Sequence, residues 1–223
     1  MKIILAVDIL KGNVVHGYKG QRNGYKPLDW GIASSTIPDE YIREMGAKNV
    51  YLADLDRIEG FGDNNDAIIK CEGLAEVSIL NRGAKKPSDA LSLPWIKNVI
   101  STETCAGNQK DYPFDYFSVV IKDGRVFPDR SDPVLAFKKA ADWGFKGGIV
   151  MNLSSVGTED RMGGLDIDAL RSAYPKELLY GGGVASTEDL LILSSAGYDG
   201  AIIATAVHKG NVPVSILREG KIC

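Results

Sequence analysis

The sequence predicts an α/β chain folded as one (β/α)₈ barrel over residues 1–223, with half-barrels of about 1–112 and 113–223. Three observations predict it. Eight short runs rich in β-formers are spaced along the chain, helical patterns alternate with them, and the two halves match each other at several places in the same order.

The strands are expected near Ile3–Asp8, Asn49–Leu52, Glu76–Leu80, Asn98–Ser101, Tyr116–Val120, Gly148–Met151, Leu178–Tyr180 and Ala201–Ile203. Most are nearly continuous apolar runs, as strands covered on both faces require. Helical patterns lie near Pro38–Met45, Asn65–Glu72, Ser88–Leu93, Asp132–Trp143, Asp166–Ala173 and Thr187–Ala196. Pro38 and Pro133 stand where proline favours a helix start, and Gly46, Gly144 and Gly197 stand where glycine ends one.

Composition narrows the function classes. A formal charge of −3 argues against a general nucleic-acid or membrane surface. Cys71, Cys105 and Cys223 lack metal-ligand spacing and leave one thiol unpaired, which fits a reducing cytoplasm. The opening run Ile3–Val7 is too short for a signal peptide or a membrane span and reads as a first strand.

Leu178–Tyr180 runs into Gly181, Gly182 and Gly183, and then a capping residue, Ser186 or Thr187, opens a helical pattern. Strand, glycine turn and helix start in that order make an anion site, because backbone N–H groups point outward and no side chain blocks the approach. A second apolar strand, ending at Ala204-Thr205, follows closely. Two such strand ends are the expected place for a phosphate in a barrel of this kind. The competing reading is that the glycines serve a tight turn and close helix packing.

The halves align in order. Asp8–Val14 matches Val120–Val126, Leu52–Leu55 matches Val150–Leu153, Asn81–Lys85 matches Gly181–Ala185 with Asp89 on Asp189, and Ile100–Glu103 matches Ile203–Ala206. A spacing of roughly 100 to 110 residues is a half-barrel and not a solenoid repeat of about 20 to 50.

The half-barrel repeat, the Asp ending the first strand, Asp54-Leu55-Asp56 after the second and the glycine triplet after the seventh resemble the histidine-biosynthesis barrel group. That group comprises the phosphoribosylformimino-5-aminoimidazole carboxamide ribotide isomerases and their cyclase relatives. The opening Met1–Val15 and Lys19-Gly20 are similar to the isomerase's start and following loop. The resemblance implies an Amadori rearrangement with a first-strand Asp as base and a fifth-strand Asp as acid. Asp8 fills the first position, but Val120 fills the second, and neither Val119 nor Ile121 supplies a carboxylate. Asp123 lies beyond the strand in a turn signal.

Met151-Asn152 stands where the family has Thr-Asp or Thr-Glu, and Val156-Gly157-Thr158 where it has Asp-Gly-Thr. The first-half phosphate turn reads Asn81-Arg82-Gly83 in place of three glycines. Arg82, Lys85 and Lys86 either hold an anion by charge or form a solvated basic loop.

Asp8 is therefore the catalytic candidate. Gly181, Gly182, Gly183, Ala204, Thr205, Gly157, Thr158, Lys19, Arg82 and Gly83 are the candidates for binding substrate or phosphate. Asp54 is read either as functional or as a salt-bridge partner of Arg57 or Lys11, and His16 and His208 are read as structural. Tyr18, Tyr25 and Trp30 are candidates for covering the barrel mouth. The expected partner is a phosphorylated small molecule, with no nucleic acid, membrane, cofactor or metal, and the oligomeric state is left open. Two functions follow: an isomerase-type enzyme performing a different reaction on a related phosphorylated ligand, or a phosphate-ligand binding or regulatory protein without catalysis.

Overall fold

The computed structural model describes residues 1–105, 108–158 and 160–222. Eight parallel strands form the barrel: β1 (Lys2–Leu10), β3 (Asn49–Asp54), β4 (Val77–Asn81), β5 (Ile96–Ser101), β6 (Tyr116–Lys122), β8 (Gly147–Asn152), β9 (Glu177–Gly181) and β10 (Gly200–Ile203). Each pairs with the next in chain order, and β10 closes the ring on β1. Two short strands, β2 (Asn13–Val14) and β7 (Arg125–Val126), fold back as hairpins on β1 and β6.

The strands alternate as a filled barrel requires. On β1, Ile3, Leu5, Val7 and Ile9 pack outward under the helices, while Ile4, Ala6 and Leu10 belong to the barrel interior. Asp8 shares the inward parity. On β6, Phe117, Val119 and Ile121 face outward and Tyr116 inward, so Val120 also faces the interior.

The expected helices form at α1 (Pro38–Met45), α3 (Asn65–Ile69), α4 (Pro133–Ala140), α5 (Ile167–Ala173) and α6 (Thr187–Ser195). Short helices at α2 (Leu55–Glu59), α7 (Thr205–His208) and α8 (Val214–Glu219) lack a long apolar period and were not legible. Pro38 and Pro133 open α1 and α4, and Gly46 ends α1 in the left-handed conformation at φ 66°. Gly144 does not cap α4, which stops at Ala140. The expected helix over Ser88–Leu93 shrinks to a 3₁₀ turn at Pro87–Asp89, because Asn98 ties both backbone groups of Leu91 to β5. No helix among the described residues is long and apolar enough to cross a membrane. Cys71 and Cys105 are buried free thiols, and Cys223 lies outside the described residues.

Strand register repeats between the halves. Asp8 pairs with Ala53, Ala53 with Asn81 and Asn81 with Val99. Val120 pairs with Met151, Met151 with Gly181 and Gly181 with Ile202. The hairpins agree, with Ile9 on Val14 and Ile121 on Val126, each turning through two left-handed residues, Lys11-Gly12 and Asp123-Gly124. Asp123 is thus a turn residue.

A carboxylate clasp recurs as well. Asp89 Oδ2 accepts from the N–H groups of Lys85 and Lys86 at 2.9 and 3.1 Å. Asp189 Oδ2 accepts from those of Ala185 and Ser186 at 2.8 and 3.1 Å. Ser186, not Thr187, is the N-cap of α6. Asp189→Ala would orphan both donors at a fully buried position. It should cost about 2–4 kcal/mol in urea unfolding, against about half that for the less buried Asp89→Ala; equal, sub-kilocalorie losses would contradict this role.

Candidate functional site

The barrel mouth encloses a cavity of about 120 Å³ at the carboxyl ends of the strands. Asp8 rises into it from β1, and Val120 faces it from the register-equivalent position on β6. Both side chains reach the mouth because each lies one pleat below its hairpin turn.

Three tyrosines surround Asp8. Tyr25, Tyr41 and Tyr51 all line the cavity, and burial together with the charge of Asp8 holds each phenol above its ordinary range, Tyr25 at about 12. Asp8 is itself pushed up to about 6, because burial disfavours its charged form more than the Arg22 guanidinium favours it. Gly17 packs close to the carboxylate, where a Cβ would sit 2.8 Å from Asp8 Oδ2.

Tyr41 has a defined polarity. The N–H of Ile32 donates to His208 Nδ1 at 3.2 Å. Burial, with a smaller contribution from His16, lowers the His208 pKa to about 4, so the ring is neutral at physiological pH. The hydrogen-bond pattern therefore puts the proton on Nε2, which donates to the Tyr41 hydroxyl at 2.7 Å. The hydrogen of Tyr41 is left for another acceptor, and the residue lines the cavity beside Asp8. Trp30 packs edge-on against His16 and His208 and fixes this wall.

The loop after β2 crosses the mouth. Lys19 N–H donates to Val156 O at 2.9 Å, and a Cβ on Gly157 would overlap the Gly17 carbonyl. Tyr25 reaches the cavity from this loop, whereas Tyr18 is exposed. Arg22, from the same loop, bonds Glu59 at 2.6 Å and Glu103 at 2.8 Å. Burial opposes its charge, but the two carboxylates outweigh that and hold it firmly protonated.

The cavity brings together Asp8, Gly157, Thr158, Gly182, Gly183, Ala204 and Thr205. Gly181, Lys19, Arg82 and Gly83 are not among its lining residues. Lys19 instead faces Asp160 at 3.7 Å, and Arg82 turns back to donate to Asn65 Oδ1 at 2.7 Å. Gly182 and Gly183 adopt φ 95° and 86°, and a Cβ on either would overlap a carbonyl, Asn152 O or Arg161 O. Both glycines thus serve close packing as well as lining the cavity. In α7, Val207 N–H is the first to bond back, to Ala204 O, so the N–H groups of Thr205 and Ala206 lie ahead of the helical ladder.

Asp54 makes neither expected salt bridge. It caps α2 through Arg57 N–H and is gripped by Asn64, while the Arg57 guanidinium pairs with Asp89 at 2.9 Å. Sequence reading missed Arg22, Tyr41, Tyr51 and Glu103, and took His208 as structural alone. Glu103 was visible as the partner of Ala206 in the half-barrel match; the others carry no local motif. Among the described residues no group of three His, Cys, Asp or Glu is placed to hold a metal ion.

Asp8 gives a stability prediction with a definite sign. Its folded pKa, about 6, lies above the ordinary aspartate value of 3.8, so the folded state gains protons first as pH falls. The stability contribution of Asp8 therefore drops as pH rises through roughly 4 to 6, and the penalty is complete above that window. Asp8→Asn should raise the unfolding free energy at pH 7.5 by about 1–3 kcal/mol, and the gain should vanish near pH 4. A variant destabilised at pH 7.5 would contradict the burial of this charge.

Comparison with known proteins identifies relatives of the chain. Residues 96–213 match the family described as histidine biosynthesis protein. An uncharacterized protein of Methanocaldococcus jannaschii is 32% identical over 222 residues, covering 94% of each chain. An imidazole-4-carboxamide isomerase of Thermus thermophilus, whose name specifies two 5-phosphoribosyl groups, is 27% identical over 95% of this chain and 96% of its own. Its counterpart from Halobacterium salinarum is 27% identical over 94% and 92%.

Proposed function

Because this chain belongs to the histidine-biosynthesis protein family, we propose that it is an isomerase-type enzyme acting on a phosphorylated sugar-like compound, by a reaction other than the two-carboxylate isomerisation of its relatives. The observation that carries this reading is the carboxylate of Asp8, which lines the cavity with Tyr25, Tyr41 and Tyr51 and faces Val120 at the register-equivalent position, while the other cavity-lining carboxylate, Glu103, is tied to Arg22.

The phosphate is held at the second-half turn. Gly182 and Gly183 leave backbone open to the cavity, and Thr205, which lines it, supplies an N–H donor ahead of the helical ladder to an anion. Thr158 and Gly157 close the same side. Lys19, Arg82 and Gly83 stand outside the cavity, so in this reading they serve the loops and not the ligand. Gly181, inside the barrel against Met151, supports the turn from below.

With Asp8 as the base and Glu103 held by Arg22, the chemistry is a proton transfer between adjacent carbons. Asp8 takes the proton from the carbon beside a carbonyl and returns it to the former carbonyl carbon. Tyr41, whose hydroxyl hydrogen is free of His208, donates to the carbonyl oxygen as charge develops there. The hydroxyl proton of the substrate passes back through the same phenol, so both residues end as they began. Valine at position 120 is no obstacle to a single-base transfer, whereas it cannot supply the acid of a two-carboxylate mechanism. The buried free thiols Cys71 and Cys105 suit work in a reducing compartment such as the cytoplasm.

The test is to follow singly phosphorylated aldoses, ribose 5-phosphate first, for exchange of the C2 hydrogen with solvent and for ketose formation by NMR. Asp8→Asn should lower the rate by about 10²–10⁴ while phosphate binding is kept. kcat/KM should rise through pH about 6 as Asp8 loses its proton. Ala204→Asp should weaken binding of inorganic phosphate by about tenfold or more through like-charge repulsion. Tight binding without any Asp8-dependent turnover would instead favour a non-catalytic ligand-binding protein.

A further inference from the structure

The two ends of the cavity are built on register-equivalent turns, and they have opposite electrostatic character. Ile100 pairs with Phe117 as Ile203 pairs with Leu5, so Ser101, Thr102 and Glu103 occupy the positions of Ala204, Thr205 and Ala206. The turns agree beyond the strand. Thr104 and Cys105 N–H bond back to Ser101 O, as Val207 and His208 N–H bond back to Ala204 O.

In the first half, the counterparts of the Thr205, Ala206 and Gly183 donors are already engaged. Thr102 N–H donates to Ser118 O at 3.0 Å, and Glu103 N–H to Ser101 Oγ at 3.3 Å. Gly83 N–H donates to Asn81 Oδ1 at 3.2 Å, and Asn81 stands where the second half has Gly181. A carboxylate, Glu103, then replaces the methyl group of Ala206 and lines the cavity. Its partner is Arg22, which is shared with Glu59, so the cluster of two carboxylates and one guanidinium carries a net negative charge.

We propose that the cavity takes a compound with one phosphate, whose opposite end is uncharged or cationic, and that Glu103 with Arg22 is the determinant that excludes a second phosphate. This rests on the phosphate site proposed at the second-half turn. An amino or hydroxyl group at the far end of the ligand meets the Glu103 carboxylate and the Asn81 side chain, both of which line the cavity. A second phosphate there meets a carboxylate and a backbone whose N–H groups are already bonded. Removing the Glu103 charge would leave Arg22 balanced by Glu59 alone, so the net negative charge of this end depends on Glu103.

The test is calorimetric titration at pH 7.5 of wild type, Glu103→Gln and the double variant Arg22→Gln/Glu103→Gln, with circular dichroism and thermal unfolding to confirm that each is folded. The probes are inorganic phosphate, ribose 5-phosphate, glucosamine 6-phosphate and ribulose 1,5-bisphosphate. Wild type should bind the two monophosphates at least about tenfold more tightly than the bisphosphate, as like-charge juxtaposition predicts. Glu103→Gln should tighten bisphosphate binding by about tenfold relative to ribose 5-phosphate and lose that gain in the double variant. Bisphosphate binding more tightly than monophosphate to wild type, or no change in preference in Glu103→Gln, would overturn the proposal while leaving the phosphate site standing. Failure of wild type to bind any of the four probes would overturn both.

Discussion

Backbone pairing around the closed barrel is the constraint on which the rest of the site depends. Side chains alternate in and out along each strand, so a one-residue slip would exchange the mouth for the helix-facing shell. Two glycine-containing hairpins, at Lys11-Gly12 and Asp123-Gly124, pin the register of β1 and β6. Ring closure of β10 on β1 then leaves the intervening strands no freedom to shift. Asp8 and Val120 occupy the same place in the two halves because of this register, and Glu103 occupies the place of Ala206.

From that frame the charge distribution follows. One inward carboxylate lies among three phenols and is raised towards neutrality by burial. The second-half end keeps small residues and forward N–H groups. The first-half end has filled its own turn with Asn81, Ser101 and Glu103, and has brought Arg22 across from the loop after β2 to meet that carboxylate. A repeated backbone therefore carries a site with no internal symmetry, and the difference between its ends is a difference in what they can bind.

Much of this was legible in the sequence. Apolar runs, proline starts and the matched halves gave the barrel, and Val120 and Asn81 stood out as departures, while Glu103 was aligned with Ala206 without being read as a site residue. The short helices α2, α7 and α8 were not legible, because a single turn leaves no periodic trace. Asp54 was ambiguous because its true partner, Asn64, carries no charge that a salt-bridge reading would seek. Arg22 and Tyr41 reach the cavity from a loop and a helix through tertiary packing alone. Their roles depend on Glu59, Glu103 and His208, which are distant in the chain.

Phosphate enters this cavity at one end only. A crystal structure of the protein soaked with ribose 5-phosphate decides it. One phosphate is expected, against Gly183 and Thr205, with the sugar carbons over Asp8 and the Arg22–Glu103 pair intact. A phosphate at Asn81–Gly83, or phosphate density at both ends of the cavity, would contradict it.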